Sequence, residues 1–260
     1  MGVLYLLNGA GGGEDGANWL AKTDIVEFTK NKNLYVVIPP NQGQFSYYTD
    51  WEKPDPPELG VHKWSTFLGK ELPPVFDAHF NTSGRNAIGG ISSSGTSVLN
   101  LAIEHPDLYE AVGSYSGCPT TADPFGQNSI RLVVEVRGGG DARNMWGGPY
   151  NGPGWRKHDP VINAHKLRGT KLYISNATGL PGPYDSPAYV KKQDTLADQI
   201  VVGGVIEGST MACTLQLVNR LRQLNIPPAT VDLPSVGTHS WGYWQDQLHR
   251  SWSFYERALR

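Results

Sequence analysis

Cysteine, long apolar runs and blocks of like charge are what this sequence of 260 residues has least of. Its two cysteines, Cys118 and Cys213, cannot hold a zinc ion by themselves, so no metal site is expected, and their spacing leaves the redox compartment open. No apolar stretch approaches the ~20 residues of a membrane-spanning helix, so no transmembrane segment is expected. No signal peptide is expected either, because Met1-Gly2 leads straight into the strand-like Val3-Leu4-Tyr5-Leu6-Leu7. Twenty-two basic and 24 acidic residues leave a net charge of −2 with the signs scattered, which argues against nucleic-acid binding and a polybasic membrane anchor. The glycine-rich run Asn8 to Gly16 lacks Gly-Lys-Ser/Thr, and no GxGxxG register in it opens a helix, so a nucleotide cradle is excluded and no cofactor is expected. No internal repeat or linker is visible, so residues 1–260 read as one domain.

What is present points to an α/β architecture. Glycine (31) and proline (19) are abundant, so much of the chain must be loops. Eight tryptophans and twelve tyrosines can line a substrate cleft, with plain core packing as the competing fate. Strand patterns at Val3–Leu7, Leu34–Ile38, Ala111–Ser116, Lys171–Ser175 and Ala229–Leu233 alternate with helical patterns. The helices are expected at Asp24–Lys30 (capped by Thr23), Lys63–Phe80 (kinked or broken at Pro73-Pro74), from about Glu207 to Leu224, and at Trp241–Leu259. The alternation implies a mainly parallel sheet with helices on both faces. It fails between Gly117 and Pro160, which reads as an insertion over the end of the sheet, the kind of excursion that carries binding function.

Asn86 to Gly95 is the organising stretch. An apolar strand runs into small residues around a serine, and a helical pattern (Val98, Leu99, Leu101, Ala102) follows. This is the form of a nucleophile elbow, whose strained turn requires small residues two before and two after the serine. Gly90 and Ser94 flank Ser92 in that way. A competing frame puts Ser93 at the tip, with bulky Ile91 two before it, and a plain serine-rich turn is a third reading. An elbow serine needs a base after the last strand, and His239 in Val236-Gly237-Thr238-His239-Ser240-Trp241 stands there. The carboxylate partner should follow Lys171–Ser175. Asp185, Asp194, Asp198 and Glu207 qualify by order, and spacing does not choose among them. The glycine-rich first loop suits an oxyanion hole, with a flexible turn as the alternative.

Eight segments then carry a resemblance: Tyr5-Leu6-Leu7-Asn8-Gly9, Ser46-Tyr47-Tyr48-Thr49-Asp50-Trp51, Lys63-Trp64-Ser65-Thr66-Phe67-Leu68, Gly90-Ile91-Ser92, Met145-Trp146-Gly147, Trp155-Arg156-Lys157-His158-Asp159-Pro160, Ile206-Glu207-Gly208 and Gly237-Thr238-His239-Ser240-Trp241-Gly242-Tyr243-Trp244. In this order, over nearly the whole chain, they resemble the antigen 85 mycolyltransferases and corynomycolyltransferases, which adopt the α/β-hydrolase fold. The resemblance implies Ser92 as nucleophile, Glu207 as acid, His239 as base, and the backbone amides of Ala10 and Ser93 as oxyanion donors. It also implies an exported or cell-envelope enzyme moving a mycoloyl group between trehalose or cell-wall sugar hydroxyls. In such an exported protein a Cys118–Cys213 disulfide is expected, with two separate buried thiols as the alternative.

Three departures stand out. Ala10-Gly11 replaces the family's larger apolar residue and sugar-holding arginine. The family's first strands have no counterpart here, and Asn176 stands where some members carry cysteine. Loss of the arginine predicts ready acyl-enzyme formation with weak trehalose binding, unless Trp241 or Asn18 supplies the contact. A carboxylesterase is the nearest rival reading, and a non-catalytic matrix- or glycan-binding relative is the rival from another class.

Overall fold

The computed structural model describes residues 1–39, 42–228 and 230–260. In chain order the elements are β1 (Gly2–Leu7), α1 (Trp19–Lys22), α2 (Ile25–Thr29), β2 (Leu34–Val37), α3 (Trp64–Thr66), α4 (Leu72–Phe80), β3 (Asn86–Ile91) and α5 (Ser93–Glu104). There follow β4 (Tyr109–Tyr115), α6 (Pro124–Arg131), α7 (Ala142–Trp146), α8 (Pro153–Lys157), β5 (Lys171–Ser175), α9 (Gln193–Gln223), β6 (Thr230–Asp232) and α10 (Trp241–Leu259).

The six strands form one parallel sheet in the order β2-β1-β3-β4-β5-β6. Parallel strands need crossovers, and the crossover helices cover both faces, so the strands read as continuous apolar runs. Strand β1 shows the period-two consequence. Val3, Tyr5 and Leu7 join the core shared with α5 and α9, whereas Leu4 and Leu6 join the core shared with α10. The chain moves from β1 outward to β2, then back past β1 to β3. The carboxyl ends of β1 and β3 thus flank the point where strand order reverses, where open α/β sheets form their crevice.

Several elements differ from the sequence reading for identifiable reasons. Helix α9 is 31 residues long and starts fourteen residues before Glu207. Its first half leaves Val201, Val202 and Val205 exposed, so no apolar face announced it. By length and composition α9 could cross a membrane. Here its second half is built into the core through Cys213, Leu217, Val218 and Leu221. The helix at Pro73-Pro74 does not break. A π-type turn over Phe67–Glu71, closed by Leu72 N–H donating to Phe67 O, precedes the prolines, which fall at the start of α4, where a missing N–H is tolerated. The first short helix pair is capped differently too: α2 begins after Asp24, and Thr23 Oγ1 accepts from Ile25 N at 3.3 Å. The last strand is only Thr230–Asp232, and Ala229 lies outside the described residues.

The insertion has a core of its own. Trp51 and Tyr47 from the loop after β2 pack with Ile130, Val134, Met145, Trp146 and Trp155. Its tether is His158, whose Nε2 pairs with Glu104 Oε1 at 2.8 Å and whose ring stacks on Trp146 at 4.7 Å. Asp159 completes the tether by accepting from the backbone N–H groups of Thr121, Ala122 and Ile162.

Candidate active site

Ser92 sits between β3 and α5 with φ 56° and ψ −125°, a left-handed conformation that a serine adopts only under constraint. Its backbone N–H donates to Tyr115 O at 2.9 Å, locking the turn to the neighbouring strand. The turn is so tight that a Cβ on Gly90 would lie 2.6 Å from Ser94 O. Ser94 turns its hydroxyl inward to Ile91 O at 2.9 Å. Ser93 is the first residue of α5, so the competing frame with Ser93 at the tip does not describe this turn.

The structure brings Ser92, His239 and Glu207 together. His239 Nε2 lies 2.8 Å from Ser92 Oγ, and His239 Nδ1 lies 2.7 Å from Glu207 Oε2. Glu207 is buried on α9, and its other oxygen accepts from Ser116 Oγ (2.8 Å), Ala177 N (2.8 Å) and Asn176 Nδ2 (3.1 Å). Three donors on Oε1 hold the carboxylate in place and leave Oε2 to orient the imidazole. Of the other carboxylates that spacing left open, Asp194 and Asp198 are exposed, and Asp185 has a different task. It takes Thr238 Oγ1 (2.6 Å) and Gln199 Nε2 (2.8 Å) on one oxygen, Tyr243 Oη (2.5 Å) and Gly182 N (2.9 Å) on the other. Burial alone would raise the Asp185 pKa, but these hydrogen bonds outweigh it and hold the carboxyl below its ordinary value. The bond to Thr238, with Gly237 N to Leu180 O (2.7 Å) and His239 N to Gly203 O (3.1 Å), holds the histidine loop in place.

The loop after β1 approaches the serine closely: a Cβ on Gly9 would lie 3.5 Å from Ser92 Cβ. Among the described residues, the backbone N–H groups of Ala10 and Ser93 have no acceptor. Ser93 is free to donate because the first N–H groups of a helix have no intrahelical partner. Ala10, Ser92, His239 and Trp241 line one cleft of about 1140 Å³. Asn18 does not line it and corrects the sequence reading. Its side-chain oxygen caps α1 by accepting from Ala21 N at 2.9 Å, and its amide donates to Gly13 O at 3.2 Å, so both ends are committed to local structure. The cysteines are joined, with Cα atoms 4.8 Å apart, tying the loop after β4 to α9 six residues past Glu207.

Ser116, Ala177 and the supporting role of Asp185 escaped the sequence reading, and Asn176 entered it only as a departure. Ser116, Asn176 and Ala177 directly follow the carboxyl ends of β4 and β5, and that position was the available signal.

A parallel sheet, a strained serine elbow and a Ser–His–Glu relay at the carboxyl edge define an α/β-hydrolase. The family model described as "Putative esterase" matches residues 1–255. The diacylglycerol acyltransferase/mycolyltransferase Ag85A of Mycobacterium tuberculosis is 31% identical over 263 residues, covering 99% of this chain and 73% of its own. Ag85B of Mycobacterium leprae is 32% identical over 252 residues, covering 95% of this chain and 73% of its own. The crystal structure of M. tuberculosis MPT51 (FbpC1) superposes with a TM-score of 0.81 at 27% identity, over 99% of this chain and 90% of that one. The chain therefore belongs to this esterase family, in the company of the antigen 85 mycolyltransferases.

Proposed function

We propose that this protein is a serine acyltransferase of the mycolyltransferase type, moving a long-chain acyl group between sugar hydroxyls through an acyl-enzyme on Ser92. The observation that carries the reading is the continuous relay from Ser92 Oγ through His239 to Glu207, opening on the cleft beside two free backbone amides. His239 takes the Ser92 proton as Oγ attacks the ester carbonyl. The oxyanion is stabilised by the amides of Ala10 and Ser93, each worth roughly 3 kcal/mol in the transition state. His239 returns the proton to the departing sugar oxygen. An acceptor hydroxyl then gives its proton to His239 and attacks the acyl-enzyme, and Ser92 leaves as the free hydroxyl. Water in the acceptor's place makes the same site a carboxylesterase, and the missing side chain at Gly11 favours that second outcome.

Residues 1–260 act as one catalytic domain in this reading. The disulfide supports an exported or cell-envelope location, because such bonds persist in oxidising compartments. The test is incubation with a trehalose monoester and separation of the products. Trehalose diester supports acyl transfer, free acid alone supports the esterase, and neither product sinks both.

A further inference from the structure

Several charged side chains that line the cleft lack an ionic partner among the described residues: Glu14 and Arg137, and also Lys22, Lys192 and Asp198. Glu14 and Arg137 both line it, as does Gly11. Among the described residues neither is in an ion pair, with each other or with any other group, and neither side chain makes a hydrogen bond. Gly11 lies beside Glu14: a Cβ there would be 2.9 Å from Glu14 Oε1. Arg137 comes from the insertion and reaches the same cleft by another route. Its guanidinium lies over the Phe45 ring, 5.9 Å from the centroid, and a Cβ on the adjacent Gly138 would be 2.8 Å from Phe45 Cβ. Phe45 N in turn donates to Ala10 O at 2.7 Å, so the platform under Arg137 is fastened to the oxyanion loop. Phe45, Tyr47 and Tyr48 all have positive φ (54°, 53° and 47°). Three bulky residues in that region carry backbone strain of a kind that concentrates at ligand sites.

We infer that Arg137 and Glu14, which reach the cleft against the oxyanion loop through Phe45 and beside Gly11 respectively, form the acceptor subsite for a hydroxyl-rich ligand, with Arg137 setting acceptor preference. The inference rests on the acyl-transfer reading above. A sugar hydroxyl both donates and accepts hydrogen bonds, so a polyol is best held by a pure donor facing a pure acceptor. Guanidinium and carboxylate supply these, and the planar fork of arginine meets two adjacent oxygens at once. A cation and an anion that share a cleft without bridging leave a gap that a neutral polar ligand can satisfy on both sides.

The experiment measures the ratio of sugar diester to free acid across a range of trehalose concentrations. Both products arise from one acyl-enzyme, so the ratio does not depend on how fast that intermediate forms. Arg137→Ala should lower the ratio roughly tenfold below saturation, the loss expected from one or two charged hydrogen bonds. Arg137→Lys should recover only part, since lysine lacks the fork. Val136→Ala, at a neighbouring exposed position, should match the wild type. Trehalose binding to Ser92→Ala, followed by tryptophan fluorescence, should weaken in parallel in Ser92→Ala/Arg137→Ala. If the wild type transfers while Arg137→Ala shows an unchanged ratio and unchanged binding, the subsite assignment is wrong and the transfer reading stands. If the wild type yields only free acid and Ser92→Ala binds no sugar, the transfer reading fails and takes the subsite with it.

Discussion

At the scale of single residues, the chemistry depends on backbone placement as much as on side-chain identity. Ser92, Ser93 and Ser94 are chemically alike, yet only Ser92 has the left-handed backbone that aims Oγ at His239. Ser92→Ala should therefore abolish labelling by a serine-directed phosphonate, while Ser93→Ala and Ser94→Ala keep it; a labelled Ser92→Ala protein would overturn the assignment. Glu207→Gln replaces an acceptor oxygen beside His239 Nδ1 with an uncharged amide. It should lower kcat by roughly 10³–10⁴-fold with little change in KM, as loss of the orienting acid does in comparable triads. At Gly11 the backbone does not demand glycine, and only the flexible end of Glu14 opposes a new Cβ. Gly11→Arg should fold and raise the share of sugar diester; an unchanged ratio would show that a sugar contact at this position is not limiting.

At the scale of elements, the histidine loop is held by parts of the chain that lie far apart in sequence. Asp185 is central to this, because four donors converge on one carboxylate. Its pKa is depressed in the folded state, so its stabilising effect is present above the ordinary carboxylate value of about 4 and is lost as pH falls through the folded value. Asp185→Asn should cost about 2 kcal/mol near neutral pH, since the amide leaves buried donors without an acceptor. The gap in Tm between the two proteins should narrow below about pH 4, and a gap independent of pH would contradict this account. Helix α9 is fixed in a second way by the Cys118–Cys213 bond, which spans 95 residues of sequence. Unfolded, unreduced protein should show no free thiol, and reduction should cost on the order of 4 kcal/mol on the chain-entropy model, read as a lower Tm.

At the scale of the whole molecule, the parallel sheet with its helices presents the reactive groups, and the insertion supplies one wall of the cleft through Arg137. The insertion's core centres on Trp146, buried against Trp155, Tyr47 and the His158 ring. Trp146→Ala should cost about 3–5 kcal/mol if the insertion unfolds together with the sheet. Calorimetry distinguishes the cases: a single transition shifted downward means one cooperative unit, and a separate early transition means the insertion melts alone.

Patterns of short range were legible in the sequence by itself. Small residues around Ser92, the continuous apolar strands, and a histidine loop after the last strand are local demands of a tight turn, a doubly covered sheet and a base at its edge. They were enough to single out Ser92 and His239 and to place the chain in the α/β class. The choice of Glu207 over Asp185 was different, since both lie in the permitted interval and only the packing of α9 beside β5 carries one of them to His239. The length of α9 was not legible either, since its exposed first half lacks an apolar face, whereas the cap that claims Asn18 is local, three residues long, and lay within reach of the sequence. Tertiary structure decided the extent of α9, and it brought to His239 the acid that the family resemblance, and not spacing, had named, because both depend on contacts between segments tens of residues apart.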